Sequence, residues 1–329
     1  MIACNQAPLF ESLGGPDIVF TKLNSLAPVS GYISIHLCPA DDDAPDIATE
    51  RMFFTRRNGG KIDAIREQIA TWDADGALNE SERSYLLAPL LFAVAYVSNT
   101  SGVFKGFHNG WGGQTRTAHY RILSDLELRQ PILRDSALTH GVWKMDAQSA
   151  AERLQSEGIK ADIVYLDPPY NQHPYGSNYH VLNTVALWDK PKLSPTITLG
   201  DKAAIRTDWR TERRSAYNYV SEAVQAYDKL LASLDARYVL TSYSTDGNIP
   251  LNDLVAIAAK HGRLACVMNP YKRYRVSTQR MSAKPMNVEF VLIIDKSDTS
   301  TLFSAGDIAD SILRAQDHAL RNHRENISI

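Results

Sequence analysis

A short apolar, β-branched stretch, Ile163-Val164-Tyr165-Leu166, runs without a spacer into Asp167-Pro168-Pro169-Tyr170. The stretch reads as a buried strand. The two prolines end it, because each fixes its own φ and neither offers a backbone N–H to a sheet ladder. Around it the second half of the chain alternates strand-like and helix-like segments. Strands are expected at 237–242 and 288–294 and a further one at 141–145, with helices at 147–156, 213–234 and 251–261, the last closed by Gly262. Such alternation builds a mainly parallel sheet with crossover helices. Ligands of such sheets gather at the carboxyl ends of the strands, which is where the tetrapeptide is presented.

The upstream region reads differently. Residues 10–133 are richer in helix signals and irregular polar segments. Asn79 with Glu82 three residues on marks a helix start, and the apolar run 86–97 follows it. That run is too short for a bilayer and contains Pro89, so a buried helix is expected there and no membrane partner. Asp41-Asp42-Asp43 reads as a solvated acidic tip. With 329 residues, about twice the usual domain size, the chain is expected to hold a mainly helical region over 1–133, an α/β domain over 134–296, and a polar tail with a helix over 297–329.

Composition narrows the function classes. Apolar residues make up 44% and charged residues 22%, enough for a packed core and too apolar for a disordered chain. Thirty-five Lys and Arg against 37 Asp and Glu leave a formal charge of -2, so no field of the whole molecule draws it onto a polyanion, and any such site must be local. The three cysteines, Cys4, Cys38 and Cys266, lie far apart in no metal-ligand spacing. That suits a reducing compartment, and with no basic-then-apolar leader at the start a cytoplasmic location is expected.

The tetrapeptide carries the chemistry. An exocyclic amine on a nucleobase is a poor nucleophile because its lone pair is delocalised into the ring. The Asp167 carboxylate and the carbonyl of Pro168 can each accept one amine hydrogen, which favours a tetrahedral nitrogen whose lone pair points at an electrophile. Two consecutive prolines hold those acceptors in place, so little reorganisation remains for the reaction step. Tyr170 can supply a ring face for the base, which must leave its duplex stack to reach the site. The plain alternative, a strand-ending acid with a Pro-Pro turn and Tyr170 in the core, explains the turn but not the four residues together.

Further segments extend the pattern. Asn171-Gln172-His173-Pro174-Tyr175-Gly176-Ser177-Asn178-Tyr179-His180 follows the tetrapeptide and leads into Leu182-Asn183-Thr184; Met52-Phe53-Phe54-Thr55, Lys61-Ile62-Asp63-Ala64-Ile65-Arg66, Asn99-Thr100-Ser101-Gly102-Val103-Phe104 and Tyr271-Lys272-Arg273-Tyr274-Arg275 flank it. On these segments, spread over about residues 10–295, the chain resembles the Dam-like and FokI-like class of DNA adenine-specific amino-methyltransferases. The resemblance implies a Rossmann-like α/β methyltransferase sheet with an inserted, mainly helical target-recognition region. It implies transfer of methyl from S-adenosyl-L-methionine to the exocyclic amine of adenine in a short site of double-stranded DNA, in a restriction-modification or phage setting.

Carried onto this sequence, the resemblance assigns Asp167, Pro168, Pro169 and Tyr170 to catalysis, with Asp167 also at the cofactor. It matches Asp146 to an acid that meets the cofactor's adenine; on its own residues Asp146 reads equally as a helix N-cap. Tyr175, Asn178 and Tyr179 are expected at the DNA. Lys272, Arg273, Arg275, Arg280 and Lys284 form a basic run free of acids, suited to phosphate contacts, with a solvated strand edge as the alternative. Asn99 to Phe107 and Trp111 could line the DNA or belong to the core. Arg206, Arg210, Arg213 and Arg214 are mixed with Asp208 and Glu212 and are expected to pair among themselves at a helix start.

One family feature has no counterpart here. Members of this class carry a first strand ending in an aromatic-x-Gly-x-Gly loop around the cofactor, and neither is found in residues 1–329; Gly14-Gly15 follows no strand. The first strand and glycine-rich loop are therefore expected to be missing, which leaves a truncated non-catalytic DNA-binding remnant, or half of a split enzyme whose other chain supplies the loop, as the alternative function. Phe303-Ser304-Ala305-Gly306-Asp307 is the one candidate for a permuted copy of that loop.

Overall fold

The computed structural model describes residues 8–194, 197, 201–208, 211–212, 214–272, 286–298, 300 and 303–325. In chain order the elements are α1 (Pro8–Leu13), α2 (Pro16–Ser25), α3 (Tyr32–His36), α4 (Arg56–Ala74), α5 (Glu80–Val97), α6 (His119–Ile122), α7 (Ala147–Ser156), β1 (Ala161–Leu166), α8 (Tyr175–Asn178), α9 (His180–Leu187), α10 (Val220–Ser233), β2 (Ala236–Ser244), α11 (Leu251–Lys260), β3 (Arg263–Lys272), β4 (Met286–Asp295) and α12 (Ala305–Glu325). They form two compact units, Met1–His140 with Tyr175–Arg213, and Gly141–Pro174 with Arg214–Ile329.

The first unit is helical, and its helices start where local chemistry starts them. Asn79 and Glu82 form a capping box at α5: Asn79 Oδ1 accepts from the Glu82 N–H at 2.9 Å and Glu82 Oε2 from the Asn79 N–H at 3.0 Å. Glu82 is fully buried, and its other oxygen accepts the N–H groups of Leu9 and Phe10 at 3.1 Å, so one carboxylate caps α5 and fastens α1 to it. Asp63 on α4 does the same for α3, accepting from Ile33 and Ser34 at 2.8 Å. Helix α4 packs closely: a Cβ at Gly59 would lie 2.3 Å from Cys38 Sγ. The acidic tip is not wholly solvated, because Asp42 accepts from the Arg56 N–H at 2.6 Å at the start of α4. Pro89 sits inside α5.

The second unit holds a four-stranded sheet in the order β1-β2-β4-β3. The expectation of a mainly parallel sheet is corrected to a mixed one. β1 and β2 are parallel, from Ala161 opposite Ala236 to Leu166 opposite Thr241, whereas β4 runs antiparallel to both β2 and β3. β4 is the next described element after β3 and pairs back on it antiparallel. Residues 141–145 pair with no strand among the described residues, against expectation, and Val142 is 96% exposed. The helix expected over 213–234 begins at Val220, after a 3-10 turn at Ala216–Asn218.

One face of this sheet is closed. Val239, Tyr243, Phe290, Leu292 and Ile294 pack there with Tyr227 and Leu231 of α10, Leu254 and Val255 of α11, and Ile308 and Ile312 of α12. The other face carries Ile163, Tyr165, Leu240, Ile293 and Val267, all half-buried or exposed. Residues 303–307 are the start of α12 and not a cofactor loop. Ser304 Oγ accepts from the Asp307 N–H at 3.1 Å while Asp307 Oδ2 accepts from the Ser304 N–H at 3.0 Å, a capping box whose spacing happens to bracket a glycine.

Candidate active site

β1 delivers Asp167 at its carboxyl end, as the apolar run requires: the strand stops where the prolines can no longer join the ladder. Asp167 is exposed, and its carboxylate has no hydrogen bond or ion pair among the described residues. Pro168, Pro169 and Tyr170 are half-buried. The exit of this turn is held from elsewhere in the second unit. The Asn248 N–H donates to the Tyr170 carbonyl at 2.9 Å, and Asn218 Nδ2 donates to the Asn171 carbonyl at 2.7 Å. The Tyr170 ring meets Tyr243 edge-on at 5.9 Å, and the Tyr243 hydroxyl accepts from the Ile249 N–H at 2.9 Å. The turn is thus clamped after its last residue while its acid stays open to a substrate.

Asp146 is the N-cap of α7, its Oδ1 accepting from the Gln148 N–H at 2.9 Å. Oδ2 has no partner among the described residues, so capping leaves one carboxylate oxygen for a ligand. The phenol of Tyr217 is raised well above the ordinary tyrosine range, first by burial and then by the neighbouring phenols and the Asp146 carboxylate. A buried hydroxyl and a half-used carboxylate are polar groups suited to a nucleoside, so these residues fit an adenosyl cofactor.

The remaining expected residues fall elsewhere. Tyr175, Asn178 and Tyr179 belong to the first unit, whose boundary with the second lies between Pro174 and Tyr175. Tyr175 and Tyr179 are exposed, with ring centroids 6.0 Å apart, and the Asn178 carbonyl accepts from the Phe104 N–H at 2.6 Å. His180 Nε2 bonds the Phe104 carbonyl at 2.7 Å, and burial holds this imidazole down at about 4, outweighing that bond. Asn99 and Phe104 are core residues: the Asn99 amide spans the carbonyls of Met52 and His108 and the Gly112 N–H. Trp111 donates to the Asp42 carbonyl at 2.9 Å.

Lys272 ends β3 opposite Met286, while Arg273, Arg275, Arg280 and Lys284 lie outside the described residues. Arg206 is clamped by Asp189 outside its segment and by Asp208 within it, which raise its pKa, whereas Arg214 pairs with Glu222 of α10 and not with Asp208 or Glu212. Arg210 and Arg213 lie outside the described residues. Asn218, Asn248 and Tyr217 escape a sequence reading because their partners are tens of residues away and the residues themselves form no motif.

Comparison with known proteins follows the same residues. Residues 20–226 match the D12 class of N6 adenine-specific DNA methyltransferases. The chain is 31% identical over 256 residues to the type II methyltransferase M.FokI of Planomicrobium okeanokoites, covering 77% of this chain and 36% of that protein. It is 30% identical over 280 residues to the type II methyltransferase M.NlaIII of Neisseria lactamica, covering 84% of this chain and 75% of that one. The modification methylase LlaI of Lactococcus lactis subsp. lactis is 32% identical over 256 residues, with 77% of this chain and 38% of that protein covered. The chain thus spans about a third of two of these relatives and three quarters of the other. No solved structure matches it. An acid and two prolines at the end of a sheet strand, in a chain matched over that strand and its flanks, place this protein in the D12 class of N6 adenine-specific DNA methyltransferases.

Proposed function

We propose that the chain transfers methyl from S-adenosyl-L-methionine to the exocyclic amine of adenine in a short double-stranded DNA site, in a restriction-modification or phage setting. The observation that carries this is the open Asp167 carboxylate beside a clamped Pro-Pro turn. Asp167 and the Pro168 carbonyl accept the two amine hydrogens, Pro169 holds the turn, and Tyr170 meets the flipped base. The nitrogen lone pair is then directed away from both acceptors, and the amine hydrogen bonded to Asp167 is placed to leave. Asp146 and Asp167 hold the cofactor, which when bound supplies an electrophilic methyl group.

Tyr175, Asn178, Tyr179, Lys272, Arg273, Arg275 and Arg280 contact DNA, and the helical region over 1–133 carries target recognition. No helix among the described residues is long and apolar enough to cross a membrane, and a DNA substrate suits a cytoplasmic location. Substituting Asp167→Ala, with Asp167→Asn beside it, should lower methyl transfer to duplex oligonucleotides by roughly a hundredfold or more at unchanged melting temperature. Undiminished transfer would sink the assignment.

A second reading is favoured by one observation: β1 is the terminal strand of the sheet among the described residues, with Ile163 61% and Tyr165 58% exposed. In it a separate chain supplies the cofactor loop beside β1. Cofactor titration of this chain alone separates the two, since measurable affinity without a partner removes the need for a second chain.

A further inference from the structure

Tyr217 lies in the 3-10 turn that precedes α10. The residue is 9% exposed, and its hydroxyl is buried without a hydrogen-bond partner among the described residues. A buried hydroxyl in that state carries its full desolvation cost and calls for a ligand, a water or a functional reason. Its two phenolic neighbours are occupied: Tyr227 shares a hydrogen bond with Thr241 Oγ1 at 2.9 Å, and Tyr243 accepts from the Ile249 N–H. Tyr217 is the one left over among these three.

Its position is fixed by the same residues that clamp the catalytic turn. Asn248 donates through Nδ2 to the Tyr217 carbonyl at 2.9 Å and through its backbone N–H to the Tyr170 carbonyl, and the adjacent Asn218 donates to the Asn171 carbonyl. Tyr217 packs in the same core cluster as Ala151 of α7, the helix that Asp146 caps, and Asp146 Oδ2 has no partner among the described residues. The residue with the orphaned hydroxyl is thus packed with the helix that Asp146 caps, and its backbone is tied through Asn248 to the Asp-Pro-Pro-Tyr exit.

We propose that Tyr217 is a further cofactor-contacting residue, its hydroxyl donating a hydrogen bond to an acceptor on the nucleoside part of bound S-adenosyl-L-methionine, next to Asp146. This rests on the cofactor assignment made above. Direct contact, and not support of the fold, is the assigned role, because the hydroxyl bonds nothing among the described residues.

The test is Tyr217→Phe in the full chain, read by calorimetric titration with S-adenosyl-L-methionine and by thermal unfolding without it. The expected result is a dissociation constant raised about fivefold or more, the worth of one neutral hydrogen bond. The unliganded melting temperature should stay unchanged or rise, because an unsatisfied polar atom has been removed. Equal affinity of the two proteins would mean that the hydroxyl holds only a water, and overturns the inference while leaving the cofactor assignment intact. A fall in unliganded melting temperature alongside the lost affinity would mark a structural residue and also overturns it. Failure of the unsubstituted chain to bind cofactor overturns the cofactor assignment and this inference together.

Discussion

The two units bury their apolar residues in opposite ways. In the helical unit the large side chains are sealed: Phe10, Phe53, Phe54 and Phe104 are each at most 1% exposed. In the sheet-bearing unit, Leu292 and Ile294 are fully buried on one face, while Ile163, Tyr165 and Val267 on the other are 61%, 58% and 64% exposed. Parallel strands are normally covered on both faces, and a near-continuous apolar run such as that of β1 is what such covering selects. The difference separates a sealed core from an open strand flank. A sealed core determines where loops such as 99–107 lie, whereas β1, the terminal strand among the described residues, leaves its following acid and its flank accessible.

Truncation should break or sharpen that contrast. Phe53→Ala should cost about 3–5 kcal/mol in denaturant unfolding, because the cavity cannot be filled by water or by collapse in a closed core. Ile163→Ala, at an exposed position, should stay within about 0.5 kcal/mol. Comparable losses at both sites would mean that the open face is covered in solution.

Acid should act first on the helical unit. His180 is held at about 4 against an ordinary 6.5, so its neutral form is the one the fold retains. The stability this contributes is fully present above about 6.5 and is lost as pH falls through about 4, roughly 3 kcal/mol across that window. His180→Gln should flatten the slope of stability against pH between those values; an unchanged slope would show that another group titrates there.

The smallest effect concerns α12. Ser304→Ala removes one half of its capping box and should cost about 1 kcal/mol in thermal unfolding. Cofactor affinity should not change, because residues 303–307 are a helix start. A loss of affinity in this variant would restore them as a cofactor segment.

How much was legible follows from the range of the interactions involved. The strand ending at Leu166, the turn after it, the helix over 147–156 and the Asn79–Glu82 start all depend on neighbours within a few residues, and all could be read directly. The segment 141–145 has strand composition but no partner among the described residues, and composition cannot report whether a partner exists. Residues 303–307 looked like a glycine loop because one glycine between polar residues also fits a capped helix start.

The placement of Asp167 at a sheet's carboxyl edge was determined by the sequence alone, because a β-branched run, a carboxylate and two prolines leave the backbone few alternatives. The tertiary structure alone decided what holds that turn. Asn218 and Asn248 reach it from distant segments, and Tyr217 becomes conspicuous only when its hydroxyl is found buried with no partner among the described residues, a property of the packed surroundings and not of any neighbouring residue in the chain.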